Sequence, residues 1–226
     1  MTIQDAVAQD AGIWVKRWVV EQREASVTVA GLHFEETGVY ALDGAFGARS
    51  LDVDSRVHVE LANPEIRRRV TRVLTEDGEV REGESEGRRR LRNPVRRDLL
   101  GSADRLLFPA QLLESQEPRG PVEPERLGGQ DVFRLVTVAA SPDDAVESVV
   151  WHFARPSGRL VQARAIVRGE GRGTLVVDMK YGRQEGLDLP VERTIEGSFE
   201  VRRRTRTFTV LVDSRSTITL AAIDAL

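Results

Sequence analysis

The chain has 226 residues, a net charge of −3 and a pI near 5.8, so it carries no global cationic field for nucleic acid. It has no cysteine, which excludes a disulfide framework and thiolate chemistry, and only 5% aromatics, too few for base-stacking platforms. A chain of this length buries roughly 70% of the surface its unfolded form exposes, so no structural metal is needed, and no apolar run approaches the length of a membrane span.

The N-terminus, MTIQDAVAQDAG, lacks the charged region and apolar core of a signal peptide. Residues 4–23 then read as a helix. Val7, Ala11, Trp14, Val15, Trp18 and Val19 recur at helical spacing and form one apolar stripe. Trp14 and Trp18 lie one turn apart and face the same way. Core packing is the simpler reading of the pair; the other is two large rings lining a lipid-sized hollow.

From Ala25 the period changes to two, with Val27 and Val29 ahead of Gly31. Leu51, Val53, Ser55, Val57, Val59 and Leu61 alternate with Asp52, Asp54, Arg56, His58 and Glu60, the clearest half-buried strand in the chain. Asn63-Pro64 turns it into a second strand, Ile66 to Leu74, crowded with Arg67, Arg68, Arg69 and Arg72. A short strand is expected around Val80. Glutamates and Asp77 between 76 and 86 then precede arginines between 88 and 97. Mutual neutralisation on a solvated surface accounts for this passage better than binding of nucleic acid or anionic lipid.

Asn93 caps and Pro94 opens a second helix, whose apolar side holds Leu99, Leu100, Ala103, Leu106, Leu107 and Ala110. Pro109 predicts a break near Leu106–Phe108, after which Leu112 and Leu113 keep the apolar character. The stretch 115–130, with Pro118, Pro121, Pro124 and Gly128-Gly129, reads as a loop.

Seven strands follow at short regular spacing: 131–139, 147–154, 159–168, 173–181, 189–200, 206–213 and 216–222. Such spacing implies an antiparallel meander. Its central hairpin, GTLVVDMKYGRQEGLDLPVERTIEG, carries the breakers Gly182 and Gly186. Pro190 belongs at the start of the second strand or on an edge, because it cannot donate to a ladder.

Little in the chain proposes chemistry. His33, His58 and His152 are isolated in sequence, with no HExxH spacing, and His58 reads as a solvated imidazole. No GxSxG elbow or Walker loop is present. Gly169, Gly171 and Gly173 sit between strands with no following helix, so they read as a turn rather than a phosphate loop. Asp52 and Asp54 share a strand face without a supporting group. The expectation is a protein that is not an enzyme, with no cofactor and no metal.

An ordered set of features in the second half resembles the LolA-like periplasmic lipoprotein-carrier family of outer-membrane lipoprotein-sorting proteins. Phe108-Pro109 and Leu112-Leu113 end a helical segment. Gly129 to Leu135 is similar to the family's G-x-x-x-Y/F-x-L strand. Trp151, then Ser157-Gly158-Arg159-Leu160, is similar to its W-x-D…T-G-L-L hairpin, with His152-Phe153-Ala154 standing where the family has an acid. Tyr181, then Gly186-Leu187-Asp188-Leu189-Pro190, is similar to its Y…G-L-x-L-P, and Val210 to Ile218 to its closing strands. The family's early-strand arginine, which helps hold a lid closed, has four counterparts to choose from: Arg67, Arg68, Arg69 and Arg72.

The resemblance implies a mainly β fold with some α, in one domain over 1–226. A sharply curved antiparallel sheet would form an incomplete barrel, its concave side covered by helices. It also implies a soluble protein of the periplasm or cell envelope, acting as a carrier or chaperone. The partner would be a lipid or the acyl chains of a lipoprotein. Trp14, Trp18, Leu99, Leu106, Leu107, Phe108 and Leu113 would line its cavity. The alternative is a structural or interaction protein of the same fold, with a packed interior, no lipid cargo and an envelope protein as partner.

Overall fold

The computed structural model describes residues 3–44, 49–61, 65–75, 103–168, 173–203 and 206–226, and no side chain of the strand at 65–75. Helix α1 (Ile3–Ser26) leads into three strands, β1 (Val29–Gly44), β2 (Arg49–Glu60) and β3 (Glu65–Thr75). A 3₁₀ turn (Ala103–Leu107) and the short helix α2 (Pro109–Glu114) follow. Next come β4 (Gln116–Pro118), β5 (Glu123–Leu127), β6 (Gln130–Ala139), β7 (Val146–Ala154) and β8 (Leu160–Arg168). The chain finishes with β9 (Gly173–Gln184), β10 (Leu187–Arg203) and β11 (Arg206–Ala225). The acidic-then-basic passage, the strand expected at Val80, the start of the second helix and Leu99 lie outside the described residues.

All eleven strands belong to one antiparallel sheet in the order β3-β2-β1-β11-β10-β9-β8-β7-β6-β4, with β5 beside β4 on the free side of β6. The two ends of this order do not pair, so the sheet is an unclosed barrel wall. Strands β6 to β11 form the expected meander. The C-terminal strand then lies against β1, bringing Val29 opposite Ala225.

Curvature follows from one contact. Asp188 on β10 accepts a hydrogen bond from the backbone N–H of Leu160 on β8 at 3.0 Å, across the intervening β9. In a flat sheet those strands stand about 9.6 Å apart, two spacings of ~4.8 Å. A side chain as short as aspartate spans them only if the sheet curls toward that face. Helices α1 and α2 occupy this concave side, and the core lies between them and the sheet. Trp151, Phe153, Ala163, Ala165, Leu175, Val177, Met179 and Ile195 point inward at every second position and are buried.

The structure departs from the sequence reading at several places. Helix α1 continues to Ser26, with Val27 in the turn after it, because Glu21 to Ala25 are all strong helix formers. The segment 115–130 is not simply a loop. Gln116–Pro118 and Glu123–Leu127 pair with β6 as edge strands, where Pro118 and Pro124 are tolerated. The two last predicted strands are a single one, since Val210, Val212, Ser214, Ser216 and Ile218 face inward without interruption and no Gly or Pro breaks them. The turn of the central hairpin is Glu185-Gly186, not Gly182. Both residues have positive φ (48° and 80°), as a two-residue type I′ turn requires. Pro190 sits at a bulge in β10, before the ladder to β11 begins at Glu192. The break predicted near Leu106–Phe108 is present, with Pro109 opening α2.

Candidate functional site

The concave face holds two buried charge clusters and one cleft. The alternation that turns Ile195 inward also turns Arg193 inward, and its side chain is fully buried. Arg193 donates to Asp104 of the 3₁₀ turn at 2.7 Å, to Glu36 of β1 at 2.5 Å and to the Tyr40 hydroxyl at 3.2 Å. Burial opposes the guanidinium's charge. Glu36, Tyr40 and Asp104 outweigh it and hold the pKa above the ordinary arginine range. Tyr181 on β9 donates to the Leu106 carbonyl at 2.7 Å, and burial pushes its phenol pKa well up. Arg193 and Tyr181 therefore pin the 3₁₀ turn to the sheet. The arginines first considered for such a role, Arg67, Arg68, Arg69 and Arg72, lie on β3, whose side chains are not described.

The second cluster centres on Asp188, whose side chain is fully buried. Its carboxylate accepts from the Trp18 indole at 2.7 Å, from Leu160 N–H and from Arg183 at 3.2 Å, with Arg159 at 3.6 Å. Its own backbone N–H donates to Gln22 at 2.8 Å. One residue of the β9–β10 hairpin thus fixes α1 over the sheet.

Between α1 and α2 lies a cleft of about 230 Å³. Leu32, Leu61, Leu107, Phe108, Leu187 and Leu189 give it an apolar floor, and Val19 and Ala110 line its walls. Arg23, Gln111 and Glu114 form a polar rim, and the buried pair Gln22 and Asp188 lies inside it. Arg23 and Glu114 pair across the mouth, both exposed, and join the two helices. Such an exposed pair contributes about 0–1 kcal/mol, so it is a weak latch. The arrangement suits burial of an aliphatic group with its polar end at the rim.

The expected cavity residues fall in different places. Leu107 and Phe108 line the cleft. Trp18, Leu106 and Leu113 are packed in the core, Trp18 edge-on to Phe153 with ring centroids 5.4 Å apart. Trp14 is half-buried with its ring 6.5 Å from that of Phe133. Leu99 is outside the described residues. Missed from sequence were Arg193, Asp188 and Gln22: Arg193 is in phase with inward-facing Ile195, whereas Asp188 stands between Leu187 and Leu189 and shares that face only through the bulge after Pro190.

Three comparisons bear on relatives. No family model matches the chain, and no curated protein matches it. Solved structures with a similar arrangement include a DUF1329 family protein from Desulfovibrio piger, at 10% identity, covering 92% of each chain with a TM-score of 0.41. Another is a candidate outer membrane lipoprotein-sorting protein domain from Vibrio parahaemolyticus, at 9% identity, 93% of each chain and a TM-score of 0.39. A third is a LolA superfamily protein from Nitrosomonas europaea, at 9% identity, 92% of this chain, 94% of that one and a TM-score of 0.36. TM-scores this low do not carry a functional assignment. No helix among the described residues is long and apolar enough to cross a membrane.

Proposed function

We propose that this chain is a non-enzymatic protein of the cell envelope that takes an acyl chain, from a lipid or a lipoprotein, into the cleft between α1 and α2. The observation that carries this reading is the leucine-rich floor of that cleft beneath a polar rim. The sequence resemblance to lipoprotein carriers points the same way. Each buried methylene contributes about 0.8 kcal/mol, and an acyl chain asks for few polar groups, consistent with the absence of a legible catalytic motif. At about 230 Å³ the cleft is smaller than most drug-sized ligand sites. It would receive the end of a chain, and parting the Arg23–Glu114 latch would admit more.

A second reading, an interaction protein without cargo, is favoured by the tight packing of Trp18 and Leu106 beneath the helices. Titration with a fluorescent fatty acid separates the two. The carrier reading predicts saturable binding that a lipopeptide displaces and that Ala110→Trp, which fills the cleft, abolishes. No saturable binding, or binding unchanged in Ala110→Trp, would refute it.

A further inference from the structure

On the outer face of the sheet, away from both helices, the strand pairing assembles three metal-ligating side chains. His33 on β1 and His58 on β2 are cross-strand partners. Their rings stack 4.3 Å apart and within 4° of parallel. Asp224, near the end of β11, lies opposite Gly31. Its Oδ2 is 2.6 Å from His33 Nε2 and 3.7 Å from His58 Nε2. One ligand atom from each of the three lies within 4.8 Å of the others.

The backbone beneath this group leaves space for it. A Cβ at Gly31 would stand 2.8 Å from His58 Nε2 and 3.2 Å from Asp224 Oδ2. Any other residue at 31 would push two of the three ligands away. Glycine weakens a strand interior, so its place here is matched by the close approach it permits.

We propose that His33, His58 and Asp224 form a binding site for one divalent transition-metal ion of the Zn²⁺ type. Two imidazoles and a carboxylate are donors that suit Zn²⁺, Ni²⁺ and Cu²⁺ rather than Mg²⁺ or Ca²⁺. Ligand atoms on a tetrahedral Zn²⁺, at bonds of about 2.0–2.1 Å, stand roughly 3.3 Å apart. The two separations to Oδ2 straddle that value; the stacked rings hold their lone pairs parallel, so binding turns the two imidazoles out of their stack to converge on one ion. All three side chains are 30–50% exposed, which gives the ion an entry path and leaves its fourth position to water. The ion would bind β2, β1 and β11 together at one end of the sheet, joining residues 191 positions apart.

The test is calorimetric titration of the full chain with Zn²⁺ alone, with Mg²⁺ as a control. One Zn²⁺ per chain is expected, and no Mg²⁺ heat. The chain has only three histidines, so His33→Ala with His58→Ala leaves His152 alone and should abolish binding. Asp224→Asn should weaken it more than about tenfold. Gly31→Ala keeps all three ligands and should weaken it too, while His152→Gln should leave it unchanged. Zn²⁺ should raise the melting temperature of the parent chain but not of the double variant, whose circular dichroism reports that it still folds. Absence of 1:1 binding, or equal binding by parent and double variant, overturns the site.

Discussion

The two faces of the sheet use charged pairs to different ends. On the concave face Arg193 and Asp188 are sealed from water, and each holds a separate element in place: Arg193 the 3₁₀ turn, Asp188 helix α1. On the outer face, charges run across the strands as an exposed ladder. Glu125 approaches Arg134, Lys180 donates to Glu192 at 3.0 Å, and Arg215 donates to the same Glu192 at 2.9 Å. Lys180 and Arg215, through those hydrogen bonds, lower the Glu192 pKa. Burial, not the number of pairs, decides how much each face's charges contribute. An inner charge is costly to strip of its partner because its surroundings cannot be rehydrated, whereas an outer pair is screened by solvent and salt.

The sharpest test of that contrast is Arg193→Ala. It takes the cation from two buried carboxylates and should destabilise the protein by about 3–5 kcal/mol in urea unfolding. A loss below ~1 kcal/mol would mean the inner cluster behaves like the outer ladder. Trp18→Phe keeps an aromatic ring of smaller volume but removes the indole N–H from buried Asp188, and should cost at least about 1.5–3 kcal/mol. Because Asp188 fixes α1, that variant should also weaken acyl binding at the cleft.

His152 provides a pH test. Its pKa is lowered from 6.5 by burial, against which Glu125 and its hydrogen bond act. The folded state therefore refuses a proton that the unfolded chain accepts. The contribution of neutral His152 is fully present above pH 6.5 and is lost as pH falls toward the folded pKa. Stability should decline with acid across that window, and His152→Gln should flatten the decline; an unaltered slope would exclude His152 as its source. The smallest effect belongs to the ladder. Lys180→Ala should cost at most about 1 kcal/mol, and less in high salt; a loss as large as that of Arg193→Ala would erase the contrast.

How much of this was legible depended on range. The β6–β10 hairpins could be read because alternation and turn residues are local, and the Trp14/Trp18 face of α1 could be read from its 3.6 period. Strand β1 was obscured by Gly31, Gly38 and the Glu35-Glu36 pair, and the prolines of 115–130 hid two edge strands. Arg193 was two positions from inward-facing Ile195, yet its charge argued for the surface until Glu36 and Asp104 were seen beside it. The His33–His58–Asp224 group has no signature spacing at all, since it exists only once β1 pairs with both β2 and β11. The cleft, likewise, depends on α1 and α2 meeting over residues of β1 and β10, which no single segment encodes.

The central claim is that the α1–α2 cleft receives an aliphatic chain. Methyl NMR of leucine- and valine-labelled protein, titrated with a medium-chain fatty acid, tests it most directly. The account predicts saturable shifts concentrated at Val19, Leu32, Leu61, Leu107, Leu187 and Leu189, with the core methyls of Val149 and Leu175 unmoved. Shifts at none of the cleft methyls, or shifts confined to the outer face around Val39 and Leu211, would contradict it.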